Sequence, residues 1–548
     1  MQVHKIQQIN NDNQTRPQFK GFADGVLRYL ATNQAIGANG VDLAFMVIPR
    51  TTTDFIGRGP AAGVETARRE ASGTVNHSLI GVYGGLSGAL LATLYGIDRK
   101  FGTKSNSMFV APETLNILAE NKAKQIQNEK SQFDYLKETF SRLKAYNPTA
   151  KKVDAEGFVE LSETTVNEIA SIIDKALKKE GASFKEWKNE AAADSLHVVK
   201  NKLIEATGAE SKYVLESADK KIVSNTGLKT LLEDIYKVSE SFNRKEVQEA
   251  FKEQIKNGKP IAENTFVKKL TKFMKGRSVA GFLIGTGIGM SIQPINIYLT
   301  KKKTGSDGFV GVEGRTKDDS TAFKMMKGAA GVGFLGLTMA TLGTGFKGFM
   351  DKMAFKGFWP TISQLKGIYG LTIISRLLAT RDKDELRESL TKDTLGFLSW
   401  LVLGDFVNKM AAEGFDKSVM NRTKDVEGKN FFKRVFNSSL KTRDEILIES
   451  LATKDIKATK LKDGKLIAKT FKEMLADLNN IADKEFVKNT KRRLSTLNKA
   501  QLAGYAFSGL VLGLGIPNLN IYITNKLDKK RKAKAEMEEQ MQLQTAKA

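Results

Sequence analysis

The residue types that most often carry out chemistry, cysteine and histidine, are scarce in this chain of 548 residues. There is no cysteine, which excludes disulfides, thiolate nucleophiles, iron–sulfur clusters and cysteine-based zinc sites. The three histidines, His4, His77 and His197, are far apart in sequence, so a shared metal site would need distant parts of the fold to converge. We therefore predict no metal site and no cofactor, and we interpret His77 as the end of an interfacial helix.

One glycine motif, from Gly331 to Gly336, matches the GxGxxG pattern of dinucleotide-binding proteins. That pattern binds a pyrophosphate only at a turn from a strand into a helix, whereas here it lies inside an apolar run with no strand before it. The sequence also lacks a P-loop, an HExxH zinc motif, a GxSxG nucleophile motif and an EF-hand loop. No catalytic residue is assigned, and the sequence favours a protein that is not an enzyme.

Four runs of about 20 residues contain no charged residue, although 27% of the chain is charged. They occupy residues 78–97, 278–300, 328–346 and 501–525. A helix of about 20 residues crosses the roughly 30 Å of hydrocarbon in a bilayer, so we expect lipid to exclude charge from these runs. This predicts an all-α helical membrane protein. Buried core helices of a soluble protein are the alternative, because such helices are also apolar on all sides.

Glycines recur at helical spacing inside the apolar runs. Residues four apart lie on one face of a helix, and glycine at those positions lets two helix backbones approach closely. In a water-soluble helix each glycine would cost about 1 kcal/mol relative to alanine, whereas membrane helices tolerate it. We predict a glycine zipper that packs helices within one chain or between copies in a homo-oligomer. Its glycines are Gly81, Gly85, Gly281, Gly285, Gly289, Gly509 and Gly513.

The second and fourth apolar runs resemble each other and suggest an internal repeat. Both end in the pattern Asn-Ile-Tyr-x-Thr, at residues 296–300 and 520–524. Shared hydrophobicity does not explain the matching asparagine and threonine, so we interpret the likeness as a duplication rather than chance. Tyr298 and Tyr522 are predicted to anchor the helices at the membrane interface, with the ring inside and the hydroxyl outside.

The chain carries 86 Lys and Arg residues against 61 Asp and Glu residues, a formal net charge of +25. Such an excess favours anionic partners, and polybasic segments next to membrane helices attract anionic lipid. Nucleic acid is the less favoured partner, because no recognised nucleic-acid motif accompanies the lysines. The predicted lipid-binding residues directly follow the second and fourth runs. They are Lys301, Lys302, Lys303, Lys529, Lys530, Arg531 and Lys532.

Basic residues also precede these two runs, so the usual charge asymmetry that orients membrane helices is missing. One explanation is that Pro294 and Pro517 kink the runs and bring both ends to the same leaflet.

Polar and apolar segments alternate along the chain. The polar segments carry apolar residues three and four apart, which predicts amphipathic helices packed as bundles. The predicted order is an N-terminal polar region (1–77), apolar helix 1 (78–100), a polar helical domain (101–277), apolar helix 2 (278–303), apolar helix 3 with interfacial helices (304–416), a smaller polar helical domain (417–500), and apolar helix 4 with a basic tail (501–548).

These features predict a non-catalytic structural or scaffolding protein, integral to a membrane or tightly associated with it, that binds anionic lipid through its basic flanks. One alternative is a transporter or pore built on the internal repeat. Another is a soluble, basic helical protein that binds nucleic acid. The composition is compatible with a bacterial source, so we expect the bacterial inner membrane as the location.

Overall fold

The structure, a computed structural model, describes residue 40 and residues 42–547, except for 149, 151–152, 155, 179–190, 220–222, 312–315, 358–359, 400–403 and 423–428. Residues 1–39 of the predicted N-terminal polar region, including His4, lie outside the described part. The described residues are mostly helical, which confirms the predicted predominance of helix.

The described part opens with helices that run into one another. They are α1 (Ile48–Arg58), α2 (Pro60–Ser78), α3 (Ile80–Tyr95) and α4 (Ile97–Phe101). A π-helical turn, Asp42–Val47, leads directly into α1. Pro60 begins α2, where its missing N–H leaves no hydrogen bond unmade. A bend of 50° separates α2 from α3, so the first apolar run forms only the 16 residues of α3.

A polar domain follows that combines helices with short strands. Its elements are α5 (Pro112–Gln127), α6 (Gln132–Ser141), β1 (Leu143–Tyr146), β2 (Phe158–Glu160), α7 (Glu163–Leu177), α8 (Ala191–Thr207), β3 (Tyr213–Glu216), β4 (Val223–Thr226), α9 (Leu228–Phe242) and α10 (Lys245–Lys256). The strands form one antiparallel sheet in the order β2-β1-β3-β4. A helix–hairpin–helix unit occurs twice, as α6-β1-β2-α7 and as α8-β3-β4-α9. The sequence did not predict these strands.

The middle of the chain is a bundle of longer helices. They are α11 (Thr265–Thr304), α12 (Thr321–Leu342), α13 (Phe346–Lys352), α14 (Ile362–Leu378) and α15 (Lys383–Leu398). The Asn264 side chain caps α11 by accepting hydrogen bonds from the backbone N–H groups of Phe266 and Val267. Pro294 does not end α11, which continues for 40 residues.

The remaining elements, α16 to α21, include some that pack on the polar domain, and they end in a long helix outside it. Its elements are α16 (Gly404–Phe415), β5 (Met420–Asn421), α17 (Phe431–Phe436), β6 (Ser439–Leu440), α18 (Arg443–Ala452), β7 (Thr459–Lys462), β8 (Lys465–Ala468), α19 (Phe471–Asn480), α20 (Lys484–Phe507) and α21 (Ile516–Lys547). A π-helical stretch, Ser508–Gly515, joins α20 to α21. The unit α18-β7-β8-α19 repeats the helix–hairpin–helix order seen twice before.

The two polar segments share one apolar core. Leu447 and Leu451 of α18 belong to the same buried cluster as Tyr213 of β3 and Leu231 of α9. A polar contact reinforces this packing, because the Glu445 carboxylate of α18 accepts hydrogen bonds from the backbone N–H groups preceding β3. Buried residues between Leu447 and Val487 therefore belong to the same core as the described parts of 101–277.

Glu445 makes the stability of this core depend on pH. Burial raises the pKa of Glu445 to about 6 from 4.5, although backbone N–H groups partly oppose the shift. The folded protein therefore binds the proton more tightly than the unfolded chain, so this contribution is complete below pH 4.5 and is lost as pH rises through about 6. Glu445→Gln should remove it. Between pH 4.5 and 7 the stability difference between native protein and variant should change by about 2 kcal/mol.

Thermal unfolding in detergent at several pH values measures this difference. The native protein should lose stability relative to Glu445→Gln as pH rises across that window. A difference that stays constant with pH would show that Glu445 does not titrate as proposed.

Among the residues that the structure describes, three helices are long and apolar enough to cross a membrane, as the sequence predicts. They are α11, α12 and the continuous stretch Lys484–Gln542. The pair α2 and α3 meets the same test as one bent unit. Only 33%, 22% and 39% of the most apolar windows of the three single helices are buried, so the larger share of each window is exposed or half-buried.

Candidate functional site: a buried charge cluster

The zipper glycines of α11 pack against other helices of the same chain. A methyl group added at Gly281 would lie 3.1 Å from the backbone of Gly84 in α3. At Gly285 it would lie 3.1 Å from Ile368 of α14, and at Gly289 it would collide with Thr372. The helix backbones approach closely here because no side chain separates them.

The other predicted glycines have varied surroundings. A methyl group at Gly509 would lie 3.2 Å from Phe45, and one at Gly513 would collide with the carbonyl oxygen of Phe45. Gly81 is buried in α3, whereas Gly85 faces open space. Packing between copies in a homo-oligomer stays a prediction.

Pro294 lies inside α11 without bending the helix back. A proline lacks the N–H that would bond the carbonyl four residues earlier, here that of Met290. The Ser375 hydroxyl of α14 donates to that carbonyl at 2.6 Å instead. Since α11 continues to Thr304, the proposed return of this run to one leaflet is wrong for the second apolar helix.

The predicted interface residues lie at the surface. Tyr298 and Tyr522 are 63% and 62% exposed. Lys302, Lys303, Lys529, Lys530 and Lys532 are exposed as well, near the ends of the apolar runs. Lys301 pairs with Asp307 at 2.7 Å and Arg531 with Asp384 at 2.6 Å, so these two are already partly neutralised.

The most unusual feature of the bundle is a group of buried charges between α1, α2, α14 and α15, which the predictions from sequence did not include. We call these residues the charge cluster. Each has a side chain that is at most about one tenth exposed. The members are Arg50, Arg58, Glu65, Arg69, Glu70, Arg376, Arg381, Glu385, Glu388, Lys392 and Asp393.

Glu70 lies at the centre of the charge cluster. Arg69, Lys392, Arg376 and Arg50 approach its carboxylate at 3.1, 3.3, 3.5 and 3.5 Å. Arg376 also pairs with Asp393 at 2.8 Å, a tighter contact than its contact with Glu70. The buried charges therefore neutralise one another through several helices at once.

Two ion pairs link the N-terminal and C-terminal halves of the chain. Each half supplies the arginine of one pair and the glutamate of the other. Arg58 of α1 pairs with Glu388 of α15, and Arg381, just before α15, pairs with Glu65 of α2 at 2.7 Å. Arg381 is held further by Glu385 at 2.9 Å. The Phe309 ring lies near both guanidinium groups, 4.9 Å from that of Arg58 and 5.9 Å from that of Arg381.

The two Asn-Ile-Tyr-x-Thr segments make equivalent hydrogen bonds to these two ion pairs, one segment at Glu65 and the other at Glu388. The Asn296 side-chain amide donates to the carbonyl oxygen of Glu65 at 2.9 Å, and that of Asn520 donates to the carbonyl oxygen of Glu388 at 3.3 Å. Each threonine hydroxyl accepts a hydrogen bond from an arginine. Arg68 donates to Thr300 at 2.7 Å, and Arg387 donates to Thr524 at 2.5 Å.

A second sequence repeat underlies these equivalent contacts. Residues 65–73 and 388–396 share the pattern Glu-[Thr/Ser]-x-x-[Arg/Lys]-[Glu/Asp]-x-x-Gly, and an arginine precedes both copies by the same interval. This pattern was the signal that could have identified the charge cluster. The pattern does not by itself predict burial, because charged residues on a helix usually lie on its solvated face.

A narrow cleft lies beside the charge cluster, lined by Arg58, Glu65, Glu388, Lys392 and Asn520 among others. It has room for roughly two water molecules. Water, a proton or a small inorganic ion would fit there, whereas an organic substrate would not.

His77 is buried at the end of α2 rather than interfacial, which corrects the interpretation from sequence. Its ring packs nearly perpendicular to that of Tyr369 of α14, with ring centroids 5.0 Å apart. Neither ring nitrogen has a hydrogen-bond partner among the described residues.

Comparison with known proteins adds no assignment to this geometry. No protein-family model, curated protein or solved structure matches the chain.

Proposed function

We propose that this chain is a non-catalytic, membrane-integral structural protein whose helices are held together by the charge cluster and whose basic helix ends bind anionic lipid. The observation that carries this proposal is the outward apolar surface of the long helices. Exposed leucines, isoleucines and valines follow one another along α3, α11, α12 and the π-helical stretch before α21. Among them are Leu86, Leu90, Leu283, Ile288, Val332 and Leu510.

Hydrocarbon is the environment that this surface fits. A water-soluble monomer rarely exposes a contiguous apolar patch of more than a few hundred Å². The buried charges fit the same environment, because ionisable groups within membrane helices face the bundle interior and pair with one another. Burial of so many charges in a bundle is expensive unless they are mutually paired, and here several helices supply the partners.

The charge cluster supports a structural role more than a catalytic one. Its carboxylates and cations neutralise one another, and the adjoining cleft has room only for water or a small ion. The two reciprocal ion pairs link the two halves of the chain and so hold the helices of the bundle together.

Lipid retention tests the proposed role of the basic helix ends. Replacing Lys302, Lys303, Lys529 and Lys530 by glutamine should at least halve the phosphatidylglycerol that copurifies with each protein molecule in detergent. The reason is that each basic residue near an anionic surface contributes about 1 kcal/mol of attraction. Quantitative mass spectrometry of the extracted lipid measures the effect.

A matched control separates position from total charge. Lys245, Lys252, Lys256 and Lys259 are exposed on the polar domain, and their replacement by glutamine removes the same charge. This variant should retain lipid like the native protein. Equal retention by both variants, or equal loss in both, would contradict lipid binding at the helix ends.

A second candidate function is a pathway for protons or small inorganic ions. The observation that favours it is the charged cleft beside reciprocal ion pairs, where two repeated sequence patterns meet. Proteoliposomes loaded with a pH-sensitive dye or with a potassium or chloride indicator test it. Flux above that of empty liposomes, abolished by Glu388→Gln, would support this candidate, and flux equal to that of empty liposomes would reject it.

A further inference from the structure

An aromatic patch lies outside the charge cluster and the long apolar helices. We call Phe406 of α16 with Phe432 and Phe436 of α17 the Phe patch. The Phe406 ring stacks on that of Phe436 with centroids 4.5 Å apart, and Phe432 lies 6.3 Å away. Phe432 and Phe436 are nevertheless 58% and 62% exposed. Two large aromatic side chains side by side at the surface indicate a contact with something apolar.

The Phe patch lies beside the beginning of the fourth apolar run. Helix α16 packs along α20, where Ala412 shares a small buried cluster with Leu497 and Ala500. Nearer its start, Asn408 lies so close to Gly504 that an added methyl group there would collide with it. Phe406 precedes Asn408 on this antiparallel helix, so it lies beside the run that begins at Gln501.

The described residues around the Phe patch carry a positive net charge. Their acidic groups are already paired, Asp405 with Lys409 at 2.6 Å and Glu413 with Arg422 and Arg434 at 2.8 and 3.2 Å. Lys429 and Lys433 flank the phenylalanines and are exposed. Exposed aromatic rings interleaved with lysines are typical of helices that lie in the interface of an anionic membrane.

We infer that the Phe patch docks into the headgroup and acyl boundary of the same bilayer that the long helices cross, and so holds the polar domain against the membrane surface. Its occupant is anionic phospholipid. This inference rests on the proposed membrane integration, because the position of the fourth apolar run in the bilayer places the patch at the membrane surface. The argument for lipid is the combination of continuity with that run and complementary charge.

The absence of native cysteine allows a direct test in proteoliposomes that contain phosphatidylglycerol. Phe432→Cys, labelled with an environment-sensitive fluorophore, should be quenched at least twofold by lipid that carries a nitroxide near its headgroup, and less by a deep nitroxide. Leu461→Cys is the control, since Leu461 is 75% exposed on the β7–β8 hairpin of the polar domain. Its label should not be quenched. Adding Lys429→Gln and Lys433→Gln to Phe432→Cys should weaken the quenching.

A third label distinguishes this inference from the proposed membrane integration. Leu283→Cys reports on the outward face of α11. Quenching at position 283 without quenching at 432 would overturn only the docking of the Phe patch, whereas no quenching at either position would overturn membrane integration as well. A label at 432 that is shielded from water but not quenched would mean that protein, such as a second copy of the chain, covers the patch. That result would also overturn the inference.

Discussion

Arg376→Met is expected to destabilise the folded protein by about 3–5 kcal/mol, because it breaks a buried ion pair from one side. Arg376 is almost fully buried and lies 2.8 Å from Asp393 and 3.5 Å from Glu70. Methionine fills much of the volume but leaves the Asp393 carboxylate buried without its closest cation. Thermal unfolding of the purified protein in detergent, at neutral pH, measures the change.

Two further variants test the reason for this loss. Lys301→Met removes a cation from an exposed pair with Asp307 and should leave the unfolding temperature nearly unchanged. Arg376→Met combined with Asp393→Leu removes both charges and should recover part of the lost stability, because no carboxylate is left without its partner. If Arg376→Met unfolds at the same temperature as Lys301→Met, the charge cluster does not hold the bundle together.

Gly281→Leu is expected to separate α11 from α3 and to destabilise the bundle by at least about 3 kcal/mol, the upper part of the range for overpacked cores. The atoms nearest to the new side chain are the backbone N and Cα of Gly84 and the Phe355 ring, all 3.1 Å from the first carbon, and the backbone atoms cannot rotate away. Unfolding in detergent again measures the loss, and resistance to increasing SDS provides a second reading.

The same helix supplies the control for this substitution. Gly287 is exposed on α11, and nothing lies within 4 Å of a Cβ added there, so Gly287→Leu adds the same side chain without a collision of that carbon. It should change stability by less than about 0.5 kcal/mol. Equal destabilisation by both variants would mean that leucine harms α11 for a reason other than its contact with α3.

The long apolar helices could be predicted from sequence because their signal is local. Absence of charge over about 20 residues needs no knowledge of neighbours, and it located α11, α12 and the stretch that joins α20 to α21. The first run was less accurate, since its helix α3 covers only residues 80–95 and a bend at Leu79 separates α3 from α2. The strands were not predicted because they have four residues or fewer in the described part of the chain, too few for alternation to be recognised.

The repeated pattern at residues 65–73 and 388–396 marks part of the charge cluster, but it does not show that these charges are buried and paired, because their partners are distant in sequence. Arg58 and Glu388 each look like an ordinary residue on a solvated helix face until the fold brings them together. The proline in α11 shows the same limitation. Sequence alone predicts a kink at Pro294, whereas the Ser375 hydroxyl of another helix satisfies the carbonyl that the proline leaves free.

Extraction of native membranes with alkaline carbonate tests most directly whether lipid surrounds the apolar helices. Carbonate releases proteins held by charge alone, including a basic protein bound to anionic headgroups, but not proteins whose helices cross the bilayer. We expect the full chain to stay in the membrane pellet at high pH and to dissolve only when detergent is added. Recovery of the folded chain in the supernatant without detergent would contradict membrane integration and would favour a soluble, basic helical protein.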